Sequence, residues 1–215
     1  MRTRTDVIRL LNEARLVAVI RTNRAEQVQP VCEALLAGGI TALEITLTTP
    51  KAVEAIRLAR ATFGSRAVIG AGTVLTAGAA HEVIAAGAEF VVSPISRIEI
   101  VQAAHSHDCP VMIGAYTPTE MHLAHESGAD FIKLFPAEKL GPGYIKSIRG
   151  PLPHLKIVPT GGVDLNTMKD FLKAGCVALG VGSSLITAEI LQTENWTELR
   201  RLAGEFARAA REAKA

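Results

Sequence analysis

One pattern recurs along the chain: a short apolar run, a polar or glycine-containing turn, and a helical segment that ends at glycine. Three of the helix ends share one phrase, Ala-Gly-Gly-Ile at 37–40, Ala-Gly-Ala-Glu at 86–89 and Ser-Gly-Ala-Asp at 127–130. Glycine just past a helix accepts the left-handed conformation that terminates it. The repetition indicates quasi-equivalent αβ modules that lack the fixed period of a solenoid.

The apolar runs predict eight strands, and runs that are apolar on both faces are typical of parallel strands covered on both sides. Strands alternating with helices in this way predict a (β/α)8 TIM barrel, with an extra helix at the N-terminus. A doubly wound sheet is the alternative, but no Gly-x-Gly-x-x-Gly follows the first strand. The predicted strands are 16–20, 41–46, 67–71, 89–93, 111–115, 130–134, 155–159 and 176–181.

The predicted domain organisation is one barrel domain over residues 1–215, because no linker or low-complexity segment interrupts the pattern. Its parts are an N-terminal helix at about 3–15, a barrel over about 16–191 and a C-terminal helix at about 195–213. Within the barrel, the predicted helices are 24–37, 51–62, 76–86, 97–107, 118–127, 142–150, 165–174 and 184–191.

Net charge, apolar run length and cysteine content bear on the protein's partners and on its cellular compartment. The 23 basic and 21 acidic residues give a net charge of +2, which does not favour nucleic acid or a membrane surface as a partner. No apolar run is long enough to span a bilayer. The cysteines Cys32, Cys109 and Cys176 are odd in number and far apart, which is typical of a reduced, cytoplasmic protein.

One lysine interrupts an apolar strand, in the run Asp130-Phe131-Ile132-Lys133-Leu134-Phe135-Pro136. A lysine in an apolar interior is expensive as a cation, and burial favours its neutral amine. A neutral amine in a dry pocket is the nucleophile that forms Schiff bases with carbonyls. An ammonium in water at a strand edge is the alternative, since most lysines are surface residues.

Other polar and glycine residues cluster where a barrel places its active site, at the carboxyl ends of the strands. Glu44 lies inside the second strand, where a carboxylate must be paired or have a raised pKa, as general acid/base work requires. The alternative for Glu44 is an ion pair with Arg21 or Lys133 that only balances buried charge. The turns Gly161-Gly162 and Gly182-Ser183-Ser184 follow strands seven and eight, where barrels commonly bind phosphate through backbone N–H groups.

The histidines do not predict a metal site. His122 and His125 share a helix face at a spacing of three, but the sequence gives no third ligand in a recognisable place, and metal sites need three or four. We therefore expect surface histidines and no metal.

Five segments together resemble the bacterial KDPG/KHG aldolase family. They are Leu43-Glu44-Ile45-Thr46-Leu47, Ile69-Gly70-Ala71-Gly72-Thr73-Val74, Val92-Ser93-Pro94, Ile132-Lys133-Leu134-Phe135-Pro136-Ala137-Glu138 and Pro159-Thr160-Gly161-Gly162-Val163. The resemblance covers about residues 5 to 205, with the segments in the family's order. Members are class I aldolases acting on 2-keto-3-deoxy-6-phosphogluconate (KDPG) and 4-hydroxy-2-oxoglutarate (KHG).

The resemblance implies a homotrimeric barrel aldolase without metal or other cofactor, whose partner is a phosphorylated 2-keto acid substrate. Lys133 would form the Schiff base with pyruvate, and Glu44 would move protons through a water. Thr73, Pro94 and Phe135 would line the pyruvate end. Arg21 would orient Glu44 or bind a carboxylate. The phosphate would lie against Gly161, Gly162, Gly182, Ser183 and Ser184.

One position departs from the pattern. Several members have an arginine four residues after the glutamate, as a ligand of the substrate carboxylate, whereas this chain has Thr48; other members also lack the arginine. The residues therefore leave the choice among phosphogluconate, phosphogalactonate and hydroxyoxoglutarate substrates open. A phosphate-binding barrel isomerase or epimerase that uses Glu44 and Lys133 as acid and base is a further alternative, as is a barrel that only binds a phosphorylated metabolite.

Overall fold

The computed structural model describes residues 2–213, and its eight strands pair in parallel in the order β7-β6-β5-β4-β3-β2-β1-β8. A bridge between Thr160 and Gly180 links the two outer strands and nearly closes the barrel. The predicted TIM barrel is confirmed. The strands are β1 (Leu16–Ile20), β2 (Ala42–Thr46), β3 (Val68–Gly72), β4 (Phe90–Val92), β5 (Val111–Ala115), β6 (Phe131–Leu134), β7 (Ile157–Pro159) and β8 (Leu179–Val181).

The helices follow the predicted order. They are α1 (Arg4–Ala14), α2 (Val28–Ala37), α3 (Ala52–Phe63), α4 (Ala77–Ala85), α5 (Ile98–His105), α6 (Pro118–Glu126), α7 (Gly141–Arg149), α8 (Met168–Lys173), α9 (Ala188–Thr193) and α10 (Trp196–Glu212), with a 3-10 turn at Ala25–Gln27. Among residues 2–213, no helix has both the length and the apolar character that crossing a membrane requires.

The predicted helix over 184–191 is wrong at its start. Helix α9 begins at Ala188, and the Thr187 side chain caps it by accepting a hydrogen bond from the Ile190 N–H at 3.2 Å. The Ser184 hydroxyl instead donates to the Val163 carbonyl at 2.6 Å, a tertiary contact that takes it away from helix capping. The segment 182–186 is therefore a turn between β8 and α9.

Helix α1 closes the amino end of the barrel. Its Val7 and Leu11 are buried with side chains that point inward from the strands. Because side chains alternate along a strand, each strand can send one side chain inward and its neighbour outward to the helices. The inward cluster contains residues of β1 to β7 and the residue just before β8: Val17, Ala42, Val68, Phe90, Val92, Met112, Phe131, Val158 and Ala178.

Two buried carboxylates, Glu89 and Asp130, immediately precede β4 and β6. Their contacts stabilise the amino end of the barrel. Each also accepts a backbone N–H, from Ile69 at 3.4 Å and from Val111 at 2.9 Å respectively. Their side-chain partners are Arg2 and Arg60 at 3.0 and 3.3 Å from Glu89, and Arg4 and His105 at 2.7 and 3.2 Å from Asp130.

Candidate active site

Lys133 and Glu44 meet across the barrel interior from β6 and β2. The lysine Nζ lies 3.7 Å from Glu44 Oε1, and the two residues are only 5% and 2% exposed. Both side chains continue the inward row of their strands, two residues beyond Phe131 and Ala42. The two groups that interrupt apolar strands therefore form an ion-pair contact in the barrel interior that is slightly longer than a hydrogen bond.

Glycines in the intervening strands create the space that this pair occupies. A side chain at Gly72 in β3 would overlap the Glu44 carboxylate, because its Cβ would meet the carboxylate carbon at 2.6 Å. A side chain at Gly114 in β5 would overlap the backbone of Pro94. Above the apolar layer around Phe90 and Phe131, the barrel interior is thus kept open by residues without side chains.

The Glu44 carboxyl group has a raised pKa and an oxygen atom without a hydrogen-bond partner in the described part of the chain. Burial raises its pKa above the usual range, while the nearby Lys133 and Arg21 cations partly lower it. Oε1 has no hydrogen-bond partner within residues 2–213. A buried oxygen without a partner is rare and costly, and raised carboxyl pKa values favour proton transfer near neutral pH.

Phe135 and Arg21 lie at the border between the pair and the solvent. The Lys133 ammonium is 5.3 Å from the centre of the Phe135 ring, and this ring is 40% exposed. Arg21 follows β1, is exposed, and forms no ion pair in the described part of the chain. Its influence on Glu44 is therefore through space, and its guanidinium is available to an anionic ligand.

A cavity of about 450 Å³ opens beside Phe135 at the carboxyl ends of β1, β7 and β8. Its volume is within the range of small-molecule sites. The residues predicted to hold phosphate all line this cavity, together with Arg21: Gly161, Gly162, Gly182, Ser183 and Ser184. Gly161 and Gly162 have φ values of 90° and 72°, which a residue with a side chain rarely adopts.

The remaining predicted residues lie at the ends of β2, β3 and β4 and do not line this cavity. The exposed Thr48 pairs its hydroxyl with that of Thr46 at 2.9 Å. Thr73 has a φ of 60°, a strained conformation for a β-branched residue. Pro94 lies where its backbone passes Gly114. The structure thus places these residues on the other side of Lys133 and Glu44 from Gly161 and Gly162.

Several cavity residues have no signature in the sequence, including Val19, Asn23, Asp164, Ile186 and Leu191. Val19, Asn23 and Asp164 lie in or shortly after strands β1 and β7, whereas Ile186 and Leu191 lie in the turn after β8 and in α9. Within residues 2–213, no three or more His, Cys, Asp or Glu side chains are arranged to hold a metal ion.

Comparison with known proteins gives consistent matches. The family model for KDPG and KHG aldolase matches residues 7–202. The 2-dehydro-3-deoxy-phosphogluconate aldolase of Pseudomonas aeruginosa is 38% identical over 91% of this chain and 89% of its own length. A probable 2-dehydro-3-deoxy-6-phosphogalactonate aldolase of Rhizobium meliloti is 36% identical over 80% of this chain and 82% of its own.

A solved structure gives the same relationship in three dimensions. It is a KDPG aldolase of Legionella pneumophila with pyruvate captured as a covalent carbinolamine intermediate. It is 34% identical to this chain and superimposes with a TM-score of 0.80 over 88% of this chain and 92% of its own. This chain belongs to the KDPG and KHG aldolase family.

Proposed function

We propose that this protein is a class I aldolase that cleaves 2-dehydro-3-deoxy-6-phosphogluconate into pyruvate and glyceraldehyde 3-phosphate. The observation that carries the proposal is the buried Lys133–Glu44 pair at 3.7 Å, which lies beside a cavity lined by two glycine-rich turns. The amine supplies the covalent chemistry, the carboxylate moves protons, and the turns offer backbone N–H groups to a phosphate.

The first half of the reaction converts a ketone into an electron sink. The Lys133 amine attacks the C2 carbonyl of the substrate, giving a carbinolamine that loses water to become an iminium ion. Cleavage of the C3–C4 bond would otherwise leave a high-energy enolate, with its negative charge shared between C3 and the C2 carbonyl oxygen. With the iminium in place, the electron pair of that bond moves into it and forms an enamine.

Glu44 transfers protons in both halves of the reaction. As a carboxylate it takes the proton of the C4 hydroxyl while the C3–C4 bond breaks, which releases glyceraldehyde 3-phosphate. The same carboxyl group then returns a proton to C3 of the enamine. Water attacks the resulting iminium at C2, pyruvate departs, and the Lys133 amine is restored.

The proposed binding residues divide between the two ends of the substrate. Thr73, Pro94 and Phe135 take the pyruvate end. Gly161 and Gly162 take the phosphate, together with Gly182, Ser183 and Ser184. Arg21 lines the same cavity and has no ion-pair partner among residues 2–213, so we assign it an anionic group of the substrate. Thr48 contributes a hydroxyl in place of an arginine.

The experiment that tests the chemistry is trapping with pyruvate and borohydride. Reduction of the Schiff base should leave a pyruvyl adduct on the peptide that contains Lys133, as read by mass spectrometry. An unmodified protein would rule out the Schiff base and favour an isomerase or epimerase in which Lys133 and Glu44 act only as acid and base. Activity that survives exhaustive EDTA treatment is also expected, and its loss would contradict a metal-free mechanism.

The experiment that tests the substrate is a panel of 2-keto-3-deoxy acids with and without phosphate, scored by pyruvate release. The expected order is phosphogluconate first, with 4-hydroxy-2-oxoglutarate slower. The Rhizobium meliloti relative makes the galactonate epimer the second candidate. Equal rates with and without phosphate would contradict the assignment of the cavity to phosphate.

We also propose a homotrimer, which the family resemblance implies. Support comes from exposed apolar side chains on the segments after β3, β4 and β5, which are neighbouring strands: Leu75, Ile95, Ile98 and Tyr116. Exposed apolar patches commonly mark association surfaces. Light scattering should give a trimer for the wild type and a smaller species for Ile98→Asp, while Leu58→Asp on α3 leaves the trimer intact.

The proposed compartment is the cytoplasm, supported by three buried cysteines without disulfides.

A further inference from the structure

Two segments from distant parts of the chain form neighbouring walls of the 450 Å³ cavity. One is the segment after β1, residues 21–27, which contributes Arg21 and Asn23. The other runs from the end of β8 into α9 and contributes Gly182, Ser183 and Leu191 among others. These two segments are not paired by the sheet at this level, since both lie beyond the ends of their strands. The pairing of β1 with β8 brings the two segments side by side, and side-chain contacts hold them together beyond the strand ends.

Gln27 makes the contact between the two walls. The residue is 3% exposed, and its Nε2 donates a hydrogen bond of 2.8 Å to the carbonyl of Leu191, 164 positions away in sequence. This carbonyl is in the last turn of α9, where helices leave carbonyl groups without intrahelical partners. The Asn195 N–H, which would complete the helical pattern, bonds to Ile190 instead. Gln27 thus holds a cavity residue through its main chain.

The same segment is fastened at two further points. The Thr22 N–H bonds to the Thr49 hydroxyl at 3.3 Å, which ties the segment to the turn after β2. Arg24 forms an exposed ion pair with Glu194 at the end of α9, and Glu194 also lies 3.4 Å from Gln27 Nε2. Asn23 lies between these attachments, and Arg21 directly precedes the first of them. Of the ties to α9, the bond from Gln27 is the buried one.

The oxygen atom of the Gln27 side-chain amide gives a second reason to assign this residue a role. Its Oε1 is buried and has no hydrogen-bond partner within residues 2–213. A buried polar group without a partner is destabilising, so an apolar side chain of similar length would serve the core better. What an apolar side chain cannot supply is the donor to Leu191.

We propose that Gln27 is a positioning residue that sets the width of the phosphate side of the cavity. It does so by fixing α9 against the segment that carries Arg21 and Asn23. This role rests on the proposed aldolase function, because it concerns binding of the phosphorylated half of that substrate. Lys133 and Glu44 lie on β6 and β2 and do not depend on this bond.

The test compares Gln27→Met with a matched control, Gln29→Met. Gln29 follows two positions later. Its amide nitrogen is buried and, among residues 2–213, has no hydrogen-bond partner on α9 or elsewhere. For Gln27→Met we expect KM for the phosphorylated substrate to rise about fivefold or more, because small misplacements of binding groups are costly. The KM for 4-hydroxy-2-oxoglutarate, kcat and borohydride trapping at Lys133 should stay within about twofold. Gln29→Met should match the wild type throughout.

Two outcomes would overturn the role. One is an unchanged KM for the phosphorylated substrate in Gln27→Met. The other is an equal rise for both substrates, which would indicate general damage to the fold. If Gln27→Met does not fold, Gln27→Leu decides, since it removes the donor and adds no charge beside Glu194; the same selective rise is expected, and its absence overturns the proposal. A wild-type protein that releases no pyruvate would instead overturn the aldolase function, and this role with it.

Discussion

Buried carboxylates occur at both ends of the barrel, in very different surroundings. At the amino end, Glu89 is bonded by two arginines and a backbone N–H, and Asp130 by an arginine, a histidine and a backbone N–H. At the carboxyl end, Glu44 has one cation at 3.7 Å, and its Oε1 accepts no hydrogen bond within residues 2–213. The amino-end groups are saturated, and Glu44 is not.

The difference separates a structural use of buried charge from a chemical one. A carboxylate whose lone pairs are all occupied has its charge stabilised and has no free position for a substrate proton. A carboxylate with an open lone pair is destabilised in the resting protein and is available to a reacting group. Among these three carboxylates, the barrel therefore leaves the one beside Lys133 unsatisfied and satisfies the two at the end that α1 closes.

The largest effect should come from the lysine that faces Glu44. Lys133→Met should reduce pyruvate release by about 10⁴-fold or more, because the nucleophile is lost and the steps after it cannot begin. Borohydride trapping should disappear with it. Lys156→Met is the matched control, since Lys156 is exposed just before β7, 6.0 Å from the Phe131 ring, and should leave both readouts unchanged. Substantial pyruvate release by Lys133→Met would place the nucleophile elsewhere.

Exchanging carboxylate for amide at the two ends should produce opposite phenotypes. Glu44→Gln should slow turnover by about 10²- to 10⁴-fold, because proton transfer is lost, while trapping at Lys133 persists. Glu89→Gln should leave kcat unchanged and lower the free energy of unfolding by about 1–3 kcal/mol, because two arginines lose a charged partner. Kinetics and chemical denaturation on both variants give the comparison. A Glu44→Gln protein with normal turnover would remove Glu44 from the mechanism.

The sequence predicts the buried carboxylate at the carboxyl end of the barrel but not the partners of the two at the amino end. The barrel was predictable because its signals are local, namely apolar runs and glycines that end helices. Lys133 and Glu44 were predictable because each interrupts such a run. The saturation of Glu89 and Asp130 was not, because their partners come from the N-terminal segment and from other helices. The predicted start of α9 was wrong for the same reason: it depends on a partner distant in sequence, because the Ser184 hydroxyl donates to the Val163 carbonyl.

A smaller effect should follow from filling the space around Glu44. Gly72→Ala places a methyl group against the Glu44 carboxylate, which must move away from Lys133. We expect turnover to fall about 10- to 100-fold, as for other displacements of a reacting group. Gly78→Ala in α4 is the control, because its nearest neighbour would be the Thr76 hydroxyl at 4.0 Å, and alanine there should raise stability by about 0.5–1 kcal/mol. Equal activities of the two variants would show that the inward glycine is dispensable.

The smallest effect is a dependence of stability on pH that belongs to Glu44. Burial raises the pKa of this carboxyl in the folded protein above the 4.5 of an ordinary glutamate. Between the two values, the folded state binds more protons than the unfolded state, so the Glu44 contribution to stability falls as pH rises through that window. The slope reaches about 1.4 kcal/mol per pH unit where the folded form is fully protonated and the unfolded form is not. Denaturant titrations at several pH values should show this loss in the wild type and not in Glu44→Gln. Since the saturated carboxylates remain in both proteins, subtracting one curve from the other isolates Glu44, and a flat difference would mean that its carboxyl is no harder to ionise in the folded protein than in water.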